Sequence, residues 1–150
     1  YFNNQIYIAV KNYEETTIGL SVDYNVHDSE VWRDDCVELF FDTNMDQRSF
    51  YQLITNPLGA TFDTYRGGNE EYALQWDSGF EAVARIEATF WTVEKAIPIA
   101  GFHDLQIQPG DVWGFNLVRA RIGLAAEHCQ WLPTYGYTHR PDFFGLLTFN

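Results

Sequence analysis

The chain has 150 residues, of which 46% are hydrophobic and 17% aromatic, enough for one domain with a sizeable core. Its 21 acidic side chains outnumber its 9 basic ones and give a formal net charge of −12. This charge argues against a nucleic-acid partner and against an anionic membrane, because both are recognised by clustered Lys and Arg. An acidic, aromatic-rich surface suits a neutral ligand, a cation, or both.

Targeting segments and cysteine frameworks are missing from the sequence. There is no run of 18 apolar residues and no signal peptide, and the chain starts with Tyr1, so we expect that an N-terminal piece has been removed or left out. Two cysteines, Cys36 and Cys129, are too few for a disulfide framework, and we favour two buried free thiols over one bridge. No His-x-x-x-His or Cys-x-x-Cys pair occurs, which argues against zinc.

Short alternating apolar segments between turn residues predict an all-β chain. Strands are expected at residues 5–10, 17–22, 36–41, 50–56, 60–65, 80–87, 90–97, 112–122 and 146–149. Residues 98–105 hold one short helical turn at most, and residues 123–143 read as a long loop rich in aromatics and histidine. This pattern predicts an antiparallel β-sandwich of two packed sheets, in a single domain spanning residues 1–150.

The central predicted strand contains one charge, Glu38, among apolar residues, and Trp32 comes just before it. Because strand side chains alternate, Val37 and Leu39 face one side and Glu38 faces the other. A carboxylate at that position needs a partner or water. An indole beside a hydrogen-bond acceptor suits a polyhydroxylated ring, whereas the alternative is a core Trp and a salt-bridged Glu.

Other candidate ligand contacts lie in predicted loops and strands. Four aromatic residues lie in predicted loops: Trp32, Trp131, Tyr135 and Tyr137. Such rings either clamp the apolar face of a sugar or close the end of the sandwich. Polar side chains inside strands supply donors and acceptors, namely Glu38, Gln52, Asn56, Asn116 and Arg119. A competing interpretation pairs Glu38 with Arg119 as an internal ion pair. Asn116 and Arg119 have opposite parity, so both face one patch only if the strand has a bulge or a twist.

The predicted turn after the central strand carries Asp42, Asn44 and Asp46, which alternate like the first oxygen ligands of a calcium loop. The pattern does not continue, because Gln47 and Leu53 stand where that loop has Gly and Glu. A structural calcium therefore competes with an ordinary Asx turn. No cofactor is expected to be required, and without a nucleophile elbow or a phosphate-binding loop we expect no enzyme activity.

The block from Val31 to Asp42 resembles the Trp-x-x-Asp-x-Val-Glu-(Leu/Ile)-Phe-x-Asp motif of carbohydrate-binding module family 9. The likeness continues in order through residues 50–56, 91–98, 110–117 and 144–147, which are similar to its aromatic-Gln, Val-Glu-x-Ala-Ile, Gly-Phe-Asn and Phe-Gly-x-Leu strands. The resemblance implies a β-sandwich that binds sugars without cleaving them. It also implies attachment to a secreted polysaccharide-degrading enzyme, an extracellular or periplasmic location, and structural calcium.

The resemblance places Trp32 at the first of two sugar-clamping positions and Glu38 at a polar contact. Ile54 stands where the family has a ligand-contacting Arg, and the second clamping Trp is missing, so Tyr137, Tyr135 or Trp131 would replace it. The family's opening Gly-x-x-Asp-x-x-Trp segment is also absent from this chain. One alternative is a structural or docking domain of a larger secreted protein, and another is a related haem-binding sandwich, which needs an axial His or Met.

Overall fold

The computed structural model describes residues 1–69, 71–103, 105–123 and 126–150. Its strands are β1 (Gln5–Tyr13), β2 (Cys36–Asp42), β3 (Phe50–Thr55), β4 (Thr61–Arg66), β5 (Tyr72–Ala73), β6 (Glu81–Ile86), β7 (Phe90–Pro98), β8 (Val112–Arg121), β9 (Glu127–Gln130) and β10 (Gly145–Thr148). Short 3₁₀ turns occupy Val31–Arg33, Ile99–Gly101 and Pro141–Phe143. Across these ranges, no helix has both the length and the apolar character to cross a membrane.

Two antiparallel sheets form the sandwich, which confirms the predicted fold class. The smaller sheet has the order β1-β7-β6, and the larger has the order β10-β8-β2-β3-β4-β5, with β9 also paired to β8. β2 therefore lies inside the larger sheet, paired to β8 on one side and β3 on the other. The strand that carries Glu38 is thus held along both edges.

The core lies between the sheets and is built from alternate strand residues. Val37, Leu39 and Phe41 of β2 are fully buried there, in one apolar cluster with Trp91 and Val93 of β7. Glu38 and Phe40 alternate with them and project from the opposite, outer face of the larger sheet. The predicted division of β2 into two faces is confirmed.

The predicted strand at residues 17–22 is wrong. Two buried carboxylates satisfy the backbone of this region in place of a partner strand. Asp35 accepts a hydrogen bond from the Ser21 N–H at 2.7 Å, and Asp34 accepts from the Asp23 and Tyr24 N–H groups at 2.8 and 3.0 Å. Alternation alone does not distinguish a ladder from a loop that is fixed by side chains. β5 and β9, both short, were not predicted.

Lys95 of β7 is a charged residue placed in the apolar core. Its Nζ donates to the backbone carbonyls of Val37 at 3.1 Å and Leu53 at 3.0 Å. Burial lowers the pKa of this amine to about 7, against smaller opposing effects of Cys36 and Glu38. The amine therefore ties the smaller sheet to β2 and β3 at the cost of desolvation.

The two cysteines are both free, as favoured from the sequence, but only Cys36 is buried. Cys129 lies on the edge strand β9 and is exposed, so the expectation of two buried thiols is wrong for it. Glu127 and His128, the two residues before it on β9, are exposed as well, so this part of the strand has no cover on either face.

Candidate functional site

The outer face of the larger sheet carries a cleft whose floor follows from the strand register. Ile54 pairs with Glu38 on one side and Phe62 on the other, and Gln52 pairs with Phe40 and with Thr64. Paired residues project from the same face, so Glu38, Gln52 and Thr64 rise together. The sheet itself thereby brings a carboxylate, an amide and a hydroxyl onto one floor.

The cleft has a volume of about 350 Å³, which falls in the range of small-ligand sites. Its lining is formed by Trp32, Glu38, Gln52, Ile54, Phe62, Thr64, Tyr72, Leu74, Thr138 and His139. Of the residues predicted for the site, the structure brings Trp32, Glu38 and Gln52 into this lining. The others predicted lie beside it or elsewhere.

Trp32 forms one end of the cleft. It sits in the 3₁₀ turn just before β2, 42% of its surface is exposed, and its ring packs edge-on against Phe62 with centroids 4.7 Å apart. The edge contact holds the ring in place while part of the indole stays open to solvent. The indole is therefore neither a core residue nor a freely rotating surface group.

Glu38 and Gln52 form a buried polar pair on the floor. The Gln52 Nε2 donates to Glu38 Oε2 at 2.7 Å, and both side chains are more than nine-tenths buried. Burial raises the pKa of the Glu38 carboxyl, while the Gln52 hydrogen bond and the Lys95 charge act to lower it. Within the described part of the chain, Gln52 is the one side chain that donates to this carboxylate, so acceptor capacity remains for a ligand.

The other end of the cleft is a cluster of Tyr72, Tyr137 and His139. The His139 Nδ1 lies 2.7 Å from the Tyr72 hydroxyl and 2.6 Å from the Tyr137 hydroxyl. Burial, with a smaller contribution from the Arg66 charge, lowers the pKa of His139 to about 4. The ring is therefore neutral near pH 7, and if Nδ1 accepts from the tyrosines its N–H is on Nε2.

The cluster at this end could be only partly predicted from the sequence. Tyr137, one of the predicted replacements for the missing clamp, lies beside the cleft through its contacts with Tyr72 and His139. Nothing in the local pattern marked His139 or Tyr72. Thr64 and Phe62 follow from the hairpin register once β3 and β4 are aligned, so that signal was present in the sequence.

Asn56 and Asn116 are not part of the cleft. The Asn56 Nδ2 donates to Asp34 Oδ2 at 2.8 Å and to the Tyr24 carbonyl at 2.7 Å. Asn116 is bonded to both backbone groups of Leu132, donating to its carbonyl at 2.9 Å and accepting from its N–H at 3.0 Å. Both amides are fully buried and are used to fix loops, which corrects their assignment as ligand contacts.

Arg119 is on the opposite face from the cleft. It forms an ion pair with Glu14 and donates to the Tyr13 carbonyl, and Arg121 contacts the same carboxylate at 2.9 Å. This arrangement joins the end of β1 to β8. The alternative ion pair between Arg119 and Glu38 is therefore wrong, and Arg119 is not placed to contact a ligand in this cleft.

Two predicted aromatic contacts lie outside the cleft. Trp131 is 55% exposed and packs against Phe115 with centroids 5.6 Å apart, and Phe115 belongs to the inner face of β8. Tyr135 packs against Phe143 at 5.8 Å. Neither ring is positioned to face Trp32 across the floor.

Comparison with known proteins agrees with this architecture. A family model described as carbohydrate family 9 binding domain-like matches residues 4–148, nearly the whole chain. The chain belongs to that family. A search of curated proteins gives no match.

Solved structures related to this family 9-like domain share its fold. A candidate carbohydrate-binding protein from Bacteroides uniformis superposes with a TM-score of 0.80 at 19% identity, over 98% of this chain and 74% of that chain. A family 9 module from Caldicellulosiruptor kristjanssonii gives 0.69 in complex with cellotriose, at 18% identity over 98% and 70% of the two chains. A family 9 module from the same organism in complex with glucose gives 0.71, at 18% identity over 99% and 72% of the two chains.

The turn that was proposed for calcium in this family 9-like domain is closed by hydrogen bonds. Asp42 accepts from the Asp46 and Gln47 N–H groups at 3.3 and 2.9 Å, and Asp46 accepts from the Ser49 N–H at 2.7 Å. Asn44 accepts from the Asp46 N–H at 3.1 Å. Oxygens directed at N–H donors fit an Asx turn better than a cation, and calcium binding at this turn stays a prediction.

Proposed function

We propose that the protein binds carbohydrate in the cleft on the outer face of the larger sheet. The observation that carries this proposal is the presence, in one cleft, of a part-exposed indole and a buried carboxylate–amide pair, Trp32 with Glu38 and Gln52. A sugar ring has an apolar face and a rim of hydroxyl groups. The indole matches the first, and the polar pair matches the second.

Membership of a carbohydrate-binding family supports the proposal, as do the two related structures that hold cellotriose and glucose. These sugars are neutral, in keeping with a strongly acidic chain that would repel an anionic ligand. Glucose and cellotriose are therefore the first ligands to test.

In the proposed complex, the apolar face of a sugar lies on the open part of Trp32 and its hydroxyls donate to Glu38. An ionised carboxylate is the stronger acceptor, and its pairing with Gln52 holds it in one orientation. At the other end of the cleft the neutral His139 and the tyrosine hydroxyls offer further hydrogen bonds without adding charge.

We propose further that this is a non-catalytic module, working outside the cell beside other domains of a polysaccharide-processing protein. Family membership supports the non-catalytic role and the location outside the cell. Because the cleft offers one partly exposed aromatic ring and a small polar floor, we expect modest affinity, with a Kd in the micromolar range or weaker.

Calorimetric titration of the protein with glucose, cellotriose and a panel of other neutral oligosaccharides tests the proposal. We expect saturable binding to at least one sugar, and in a Trp131→Phe background the same sugar should reduce quenching of tryptophan fluorescence by an aqueous quencher, because Trp32 is then the most exposed tryptophan. If no neutral sugar binds and this quenching is unchanged, the cleft is not a carbohydrate site, and the docking-domain alternative becomes the better explanation.

A further inference from the structure

A second polar cluster lies on the other side of β4 from the cleft. Asp63 alternates with Phe62 and Thr64, so its side chain leaves the strand on the inner face. A loop crosses the edge of β4 at this point, where the Asp28 N–H donates to the Thr61 carbonyl at 2.9 Å. The loop thereby places His27 and Asp28 next to Asp63.

Asp63 is a buried carboxylate that is only half satisfied. It is fully buried, and its Oδ2 accepts from the Ser78 N–H at 2.9 Å and the Ser78 hydroxyl at 2.5 Å. Its Oδ1 is also buried but has no hydrogen-bond partner among the described residues. Burying an unpaired oxygen of an acid is costly, and such groups are paired, protonated or bound to a metal.

The surroundings of Asp63 add negative charge instead of compensating it. Asp77 and Asp28 each place a further negative charge near this carboxyl, and the contacts described for it are the two hydrogen bonds from Ser78. A cation at this position would neutralise two carboxylates at once and give the free oxygen a partner.

The donor atoms are close enough to share one ion. One atom each from His27, Asp28 and Asp63 lies within 4.8 Å of the others, the one such group of three within the described ranges. The His27 Nε2 is 3.4 Å from Asp28 Oδ2, which is long for a hydrogen bond. Two ligands of a tetrahedral zinc ion, each about 2.0–2.1 Å from the metal, lie about 3.3 Å apart.

Neighbouring groups also orient the donors. The His27 Nδ1 is 2.9 Å from the Thr61 hydroxyl, and donation to that oxygen leaves the lone pair on Nε2, on the side of Asp28. Ser78 fixes Asp63 through its other oxygen. Metal sites in proteins use this kind of outer contact to fix the ring and the carboxylate.

We propose that His27, Asp28 and Asp63 bind a divalent transition metal of the zinc class, with water completing the coordination. Calcium takes six or more oxygen ligands, whereas one imidazole with two carboxylates suits zinc and its neighbours. The lack of a closely spaced His or Cys pair in the sequence argued against zinc. The ligands proposed here come from a loop and a strand that are far apart in the chain, and short spacing patterns do not detect such a set. The metal would fasten the loop that leads into the turn carrying Trp32.

Zinc titration of chelator-treated protein, followed by calorimetry and thermal unfolding, tests this site. All proteins should carry Cys129→Ser, which removes the exposed thiol as a background ligand. The test variants are His27→Gln and Asp28→Asn, both at exposed positions, and the matched controls are Asp23→Asn in the same loop and His128→Gln on β9.

We expect one zinc per chain, a higher melting temperature with zinc, and affinity lowered about tenfold or more in both test variants only. Calcium at the same concentrations should not compete. Absence of zinc binding, or zinc affinities of His27→Gln and Asp28→Asn equal to that of the parent, would overturn the proposal, as would displacement of the bound zinc by calcium at the same concentration. If Asp63→Asn stabilises the metal-free protein and zinc has no effect on the parent, Asp63 is instead a protonated acid.

Discussion

Replacing Trp32 with Ala tests the proposed carbohydrate site most directly. About 42% of this residue is exposed, and a Trp side chain offers up to about 250 Å² of contact area, so about 100 Å² of indole is open. A sugar that covers about 60–80 Å² of it would gain about 1.5–2 kcal/mol at about 25 cal/mol per Å². Trp32→Ala should therefore weaken binding about 10- to 30-fold.

The variant also loses the edge contact with Phe62, so its stability must be measured alongside its affinity. Trp131→Ala is the matched control, because Trp131 is 55% exposed and also packs on one Phe, but lies outside the cleft. Calorimetry gives Kd and urea unfolding gives stability for both variants. Equal affinity of Trp32→Ala and the parent, or an equal loss in Trp131→Ala, would refute the assignment of Trp32 as the sugar platform.

Three further predictions concern the floor, the core and a loop. Sugar affinity should fall with decreasing pH from above the ordinary Glu range near about 4.3, because burial raises the pKa of Glu38 and protonation removes the charged acceptor; titrations of Glu38→Gln should show a flat profile. His139, neutral down to about pH 4, should add no dependence above pH 5. Lys95→Met should remove a rise in unfolding free energy between pH 7 and 10, since the unfolded amine binds a proton that the folded one lacks; equal slopes for parent and variant in urea melts would contradict this. Asn116→Ala should cost roughly 2–4 kcal/mol of stability by leaving the Leu132 backbone unpaired, with unchanged sugar affinity by calorimetry.

The sandwich was predictable because strand alternation reports burial directly. β2 shows the limit of that signal, since its two faces were assigned correctly while the partner of Glu38 was not. Parity separates faces but does not say which strands are neighbours, so the sequence suggested Arg119 as the partner of Glu38, whereas the placement of β3 beside β2 brings Gln52 to it.

The rest of the cleft depends on contacts between segments far apart in the sequence. His139 reaches the floor from a loop with no periodic pattern, and its neighbour Tyr72 lies on a strand of two residues. Asn56 and Asn116 carried the residue type of a ligand contact but are bonded to backbone groups. Residue type alone does not separate an amide that binds a sugar from one that fixes a loop.

Trp32 is followed within three positions by Asp34 and Asp35, whose buried carboxylates hold two other segments of backbone. The loop that carries Trp32 is thus fixed without a ligand, so a sugar that binds there would lose little free energy to ordering this loop. The residue proposed to contact the sugar and the residues that hold the loops are different members of one short motif. If Trp32 is the sugar platform, substitutions of this ring should change the preferred glycan and leave the fold intact, whereas loss of either neighbouring acid should release the loops and damage the protein whatever it binds.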